Sequence, residues 1–211
     1  MGHTLFAVGR DFYQAGRFGD AASVWKEAAI KGHADSQAWL GALYASGEGV
    51  GIDYAKALSW FLHAADQGNL FAQNNAASFY WEGKGTNVDL EKALHWFERA
   101  EAGGDVYASV NLGMIFYKGQ QVVADHERAF RHFYRGAEAG SPLAQLRLGW
   151  MYLHGEGVEA SRKKAFVWLS MASTHGCGSA LEQLGEIVEA MSREEKASAS
   201  VALQVLRQRL K

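Results

Sequence analysis

Residues 36–68 read SQAWLGALYASGEGVGIDYAKALSWFLHAADQG. The same grammar returns from position 72 as AQNNAASFYWEGKGTNVDLEKALHWFERAEAGG, from 108 as ASVNLGMIFYKGQQVVADHERAFRHFYRGAEAG, and from 144 as AQLRLGWMYLHGEGVEASRKKAFVWLSMASTHG. Five glycines (Gly32, Gly68, Gly104, Gly140, Gly176) and five alanines (Ala21, Ala57, Ala93, Ala129, Ala165) keep a spacing of 36. A fixed period in this range means stacked copies of one supersecondary unit rather than one undivided core.

Each copy holds two helical patterns around a glycine-rich stretch. In the first, Ser36/Ala72/Ala108/Ala144, Leu40/Ala76/Leu112/Leu148, Gly41/Ala77/Gly113/Gly149 and Tyr44/Tyr80/Phe116/Tyr152 fall at i, i+4, i+5 and i+8, one face of an α-helix. A mid-helix glycine costs about 1 kcal/mol against alanine. Close approach of a neighbouring helix is the physical reason to keep it. The second pattern opens on Asp53, Asp89, Asp125 and Ser161, all N-cap types. It continues as an apolar stripe, Ala57, Trp60, Phe61, Ala64 and Ala65 in the first copy. The glycine that follows suits the left-handed C′ position of a helix end.

The register changes at both ends. Gly9 and Phe12 match Gly41 and Tyr44 at a distance of only 32, because the turn 15–20 is four residues shorter than the later loops. Residues 4–32 are therefore expected to form a short tetratricopeptide-like hairpin. Repeats are expected at 33–68, 69–104, 105–140 and 141–176, within a single solenoid domain spanning 1–211. From 177 a terminal cap is expected, its last helix opened by the capping box Ser192–Glu195 and closed by Arg207, Arg209 and Lys211, cations that suit a helix C-terminus.

The pattern LG-x-x-Y-x-x-G-x-GV-x-x-D-x-x-x-A-x-x-W-x-x-x-A-A-x-x-G resembles the Sel-1-like repeat, a branch of the tetratricopeptide-like solenoids. The departures are local: Gln121 for the second loop glycine, His132 for the Trp, and Asn87-Val88 in place of GV. The resemblance implies an all-α, right-handed α/α superhelical solenoid. It also implies a non-catalytic adaptor that holds a protein or peptide in a concave groove. The alternative it implies is a bacterial immunity protein that occludes a secreted toxin or effector enzyme; a cell-wall hydrolase ranks third.

Composition agrees with a continuous core and narrows the partners. The 211 residues are 48% hydrophobic, and their net charge of −2 gives none of the basic stripe that nucleic acid requires. No apolar run approaches the roughly 20 residues of a membrane span. The opening MGHTLFAVGR lacks the charged start and apolar run of a secretory signal. With the lone Cys177 this points to the cytoplasm, with the periplasm as the alternative if a signal had been removed. A monomer is expected, a dimer being the other option.

Three motifs invite chemistry and are set aside. The eight histidines, His3, His33, His63, His95, His126, His132, His154 and His175, form no metal-ligand spacing, so neither a metal nor a cofactor is expected. GEGVG at 47–51 follows a helix and lacks the G-K-[S/T] of a phosphate loop. Ser161-x-x-Lys164 falls where the other copies have an N-cap and lacks the companion triplets of β-lactamases. No catalytic residue is assigned.

The residues that break the repeat carry more information. The first-helix stripe at positions 35, 38, 39, 42 and 46 of copy one, and its equivalents, should line the concave face. It carries Trp39, Phe71, Asn74, Asn75, Tyr107, Asn111, Met114, Arg147 and Trp150, with Arg10 from the first hairpin. Aromatics, Met and Arg are enriched at binding hot spots. Asn75 and Asn111 share a slot in consecutive copies, which suits successive groups of an extended backbone. These ten residues are the predicted partner-binding set.

Overall fold

The computed structural model describes residues 2–210; the His3 side chain and Lys211 lie outside the described residues. Twelve helices and no strand occur among them. They are α1 (Gly2–Gln14), α2 (Phe18–Ile30), α3 (Ala34–Ser46), α4 (Tyr54–Asp66), α5 (Leu70–Glu82) and α6 (Leu90–Ala102). Then come α7 (Val106–Lys118), α8 (His126–Glu138), α9 (Pro142–His154), α10 (Arg162–Thr174), α11 (Ser179–Ala190) and α12 (Arg193–Arg209). The chain divides into two compact units, one ending at Asp105 and the other beginning at Val106.

In the first unit α1/α2, α3/α4 and α5/α6 are antiparallel hairpins, and α2 packs on α3 as α4 packs on α5. The second unit repeats this with α7/α8 and α9/α10, then sets both α11 and α12 against α10. The alanines at 21, 57, 93, 129 and 165 are all fully buried. Beside them Trp25, Phe61, Phe97, Phe133 and Leu169 are at most 2% exposed, each worth roughly 1.5–3 kcal/mol of burial.

The mid-helix glycines answer to these large side chains. A methyl at Gly41 would lie 2.9 Å from the Phe61 ring, at Gly113 2.6 Å from Phe133, and at Gly149 2.6 Å from Leu169. The glycine lets the two helices of a hairpin close over the ring, the close approach expected from the sequence.

The hairpin loops are seated in the same way. In the first unit a Cβ at Gly49 would overlap the backbone at Phe18 and Gly19, and one at Gly85 the backbone at Tyr54 and Ala55. In the second, Gly157 meets the backbone at His126 and Glu127. Each of these loops therefore rests on the start of the preceding hairpin's second helix. All three glycines have φ near +70°, and Gln121, in the third repeat, holds the same left-handed position at φ 63°.

The caps are those expected. Asp53, Asp89, Asp125 and Ser161 accept from the backbone N–H three residues on, and Ser192 and Glu195 form the capping box. Pro142 sits at the start of α9. First helices carry caps of their own at His33, Asn69 and Ser141.

Two expectations need correction. Trp60 was placed on a buried stripe, yet it is only half-buried, while its equivalents Trp96, His132 and Trp168 are 5–8% exposed. Trp168 is covered by the Tyr134 ring at 5.9 Å; the same position ahead of Trp60 is Lys26, an exposed residue. The first-helix stripe is outward as expected at Asp35, Phe71, Tyr107 and Leu143, which are exposed. Two of its members are not: Ala38 and Val110 are buried at 1% and 9%.

Candidate partner-binding surfaces

Side chains of the first unit form an aromatic stack that begins in the core and ends in solvent. Trp25, on α2, donates its indole N–H to the Phe6 carbonyl at 3.1 Å. Its ring stands 5.4 Å from Trp39 on α3, and Trp39 stacks on Phe71 of α5 at 5.9 Å. Tyr13 meets Trp39 edge-on at 5.4 Å. Trp39 is half-buried and belongs to the cluster around Trp25 and Leu43, whereas Phe71 is 44% exposed. Arg10 is exposed on α1. Asn74 and Asn75 are half-buried on α5. The Asn75 amide donates to the Phe71 carbonyl at 2.7 Å, so that donor serves its own helix rather than pointing to an outside backbone.

The second unit brings together Tyr117 of α7 and Arg147 and Trp150 of α9. The Tyr117 hydroxyl donates to Glu156 Oε2 at 2.8 Å, and the Trp150 indole N–H donates to the same hydroxyl. Burial first, and then the bond and charge of Glu156, push the Tyr117 hydroxyl above its usual value, with the Arg147 charge opposing. Arg147 Nε is buried with no hydrogen-bond partner among the described residues. The Trp150 ring lies 4.1 Å from that of His154. Asn111 and Met114 are half-buried on α7, and Tyr107, on the same helix, is 74% exposed. The ten predicted residues thus divide five and five between the units.

Three recurrent devices escaped the sequence reading. First, Gln37, Gln73 and Gln145 are buried and donate at 3.1 Å to Ala29, Ala65 and Ala137, satisfying carbonyls at the end of the preceding helix. The other end of Gln37 accepts from Gln67 at 2.7 Å, and that of Gln145 meets His175 Nδ1 at 3.0 Å. Gly103 occupies the matching position for Gln73, whose Oε1 has no partner among the described residues. Secondly, Lys56, Lys92, Arg128 and Lys164 hold their charges over the Tyr44, Tyr80, Phe116 and Tyr152 rings at 3.8–5.5 Å. Thirdly, Tyr13 donates to Glu48 at 3.1 Å as Tyr117 does to Glu156, tying one hairpin's first helix to the next hairpin's loop. The first two leave a sequence signal, a Gln at a constant offset and a cation three residues after each cap.

The suspect motifs have structural uses. Ser161 accepts from the Lys164 backbone as a helix cap. His33 caps α3, His132 stacks on Phe116 at 5.6 Å, and His175 serves Gln145. Among the described residues no helix is long and apolar enough to cross a membrane.

Stacked hairpins of this length define an α/α solenoid of the tetratricopeptide-like class. The Sel1 repeat model matches residues 34–69, 70–105, 106–141 and 142–177, and the chain belongs to that family. Sel1 repeat proteins are generally non-catalytic scaffolds that bind protein partners.

Among solved structures, the chain is similar to a protective antigen of uropathogenic Escherichia coli strains displaying an SLR fold (29% identity, TM-score 0.85). The match covers 90% of this chain and 41% of that one. It is also similar to a Sel1 repeat protein from Oxalobacter formigenes (30%, TM-score 0.79, covering 89% and 55%). The chain therefore spans about two fifths and about half of the length of these two relatives. An immunity protein from Pseudomonas aeruginosa shares the fold at 19% identity and TM-score 0.52, over 82% of this chain and 67% of that one. No curated protein matches the sequence significantly.

Proposed function

We propose that the chain is an adaptor that binds a protein or an extended peptide through the exposed edge of its first helices, without catalysing a reaction on it. The observation that carries this reading is the exposure of Phe71 and Tyr107, 44% and 74%, on helices whose other faces are packed. Large aromatics left in water on a rigid helix are what binding hot spots are made of. Arg147 beside Trp150 adds a cation whose Nε is desolvated and unpaired among the described residues, ready to favour an acceptor from a partner. The Asn75 amide bond to its own helix shifts the weight from the asparagines to these groups. A cytoplasmic site of action accompanies the reading, supported by the single unbridged Cys177. The immunity-protein alternative draws only on a shared fold at 19% identity and ranks second.

The test is titration calorimetry with a partner isolated on the full chain. Phe71→Ala, Tyr107→Ala and Arg147→Ala are each expected to weaken binding at least about tenfold. Glu91→Ala and His63→Ala, on second helices, are expected to leave it unchanged. Normal binding by all three first-helix variants would move the functional surface elsewhere.

A further inference from the structure

The end of the second unit departs from the repeat in a way that specifies a partner. The earlier first-helix glycines of this register, Gly9, Gly41, Gly113 and Gly149, each face a large side chain of their hairpin's second helix: Trp25, Phe61, Phe133 and Leu169. Gly185 of α11 is in the same register, and a Cβ there would meet nothing within 4 Å. The helix that should cover it is missing from that place, because α12 packs on α10. Around Gly185, Leu181, Leu184 and Val188 complete a stripe at i, i+3, i+4 and i+7, with Leu181 62% exposed. Glu182, Glu186 and Glu189 run along its flank, all exposed, and α11 contains no Lys or Arg.

The complementary surface is on the same chain. Along α12, with Lys163 of α10 at one end, runs a groove of 580 Å³ lined by Val201, Ala202, Val205 and Leu206. Val201 and Val205 are 61% and 60% exposed. The charged groups that line it are both cations: Lys163, bonded to Ser198, at one end, and Arg209, paired with Glu138, at the other. The groove positions 198 to 209 span roughly 16 Å of helix, enough for the roughly 12 Å from Leu181 to Glu189.

We propose that this end of the molecule docks on a second copy of the chain, α11 of each protomer lying in the α10–α12 groove of the other. Val201 and Val205 of the partner copy then fill the space over Gly185, and the glutamates of α11 meet Lys163 and Arg209. An acidic-flanked apolar stripe and a cation-ended apolar groove on one chain are self-complementary, which closes as a two-fold dimer. This surface is separate from the first-helix edges of the proposed function.

Sedimentation equilibrium on the full chain tests it. At about 100 µM and moderate salt the wild type is expected at dimer mass. Glu182→Lys/Glu186→Lys and Lys163→Glu/Arg209→Glu are each expected to weaken the dimer at least about tenfold, and an equimolar mixture of the two to restore it, because both reciprocal contacts then regain opposite charges. If either double variant is unfolded by circular dichroism, Leu181→Asn, at an exposed position, replaces it and is expected to weaken the dimer likewise. A monomer at that concentration, mass that keeps growing beyond the dimer, or a dimer indifferent to these changes overturns the proposal.

Discussion

Gln121 and Gly113 make opposite statements about backbone space. Gln121 holds a left-handed conformation in which an L side chain costs about 1 kcal/mol, so Gln121→Gly is expected to raise stability by about that amount. Gly113→Ala places a methyl 2.6 Å from Phe133 and is expected to lower it by about 1–3 kcal/mol despite the better helix propensity. Urea titrations of both variants check the pair; the same sign for both would refute the packing described. Trp39 and Trp60 show where a residue-level reading falls short. Periodicity put Trp60 in the core and Trp39 on the surface. Trp39 instead joins the Tyr13–Trp25–Phe71 stack, whereas Trp60 has a ring contact with the exposed His63. Trp39→Ala is therefore expected to cost more than Trp60→Ala, by about 1–2 kcal/mol in the same titration. Nothing within copy one could reveal this, because the cover over each tryptophan comes from a different hairpin.

At the scale of the element, the N-caps couple the second helices to pH. The Asp53 and Asp89 carboxyls are held below their usual 3.8, first by the hydrogen bonds from Lys56 and Lys92 and then by the capped backbone. A depressed carboxyl stabilises the folded state fully above its unfolded value, and the contribution is lost as pH falls through the lower folded one. Asparagine caps nearly as well as aspartate but does not titrate. Asp53→Asn/Asp89→Asn should therefore show a shallower loss of stability than wild type between about pH 4 and 2; parallel acid limbs in thermal melts would count against it. Helices, caps and loop glycines were legible because each follows from a residue type at a fixed offset. How deep single members of the outward stripe sit was not. A 36-residue period says which positions are equivalent, but the cover over each is set by packing, and it put Ala38 and Val110 inside.

Across the whole molecule stability is uneven. Only Ala199 of the 17-residue α12 is fully buried, and α11 adds Ala180 and Ile187, while α9 and α10 each bury six residues. At this end of the chain, native-state hydrogen exchange is therefore expected to release the amides of α11 and α12 before those of α9 and α10. Exchange from α12 as slow as from α10 would contradict the packing seen here. The repeat count and the all-α class could be read from the chain because each copy restates them; the partner could not, since it is specified by residues that occur once. The seating of the loops has one further consequence. Gly49, Gly85 and Gly157 each fit the backbone of the hairpin before, so a loop lengthened or shortened by one residue loses its seat. Removing residues 34–69 as a block joins His33 to Leu70 and sets one first-helix cap where another stood. A gene for such a chain can change its length by whole repeats, in steps of thirty-six codons, and not by the small insertions that most surface loops absorb.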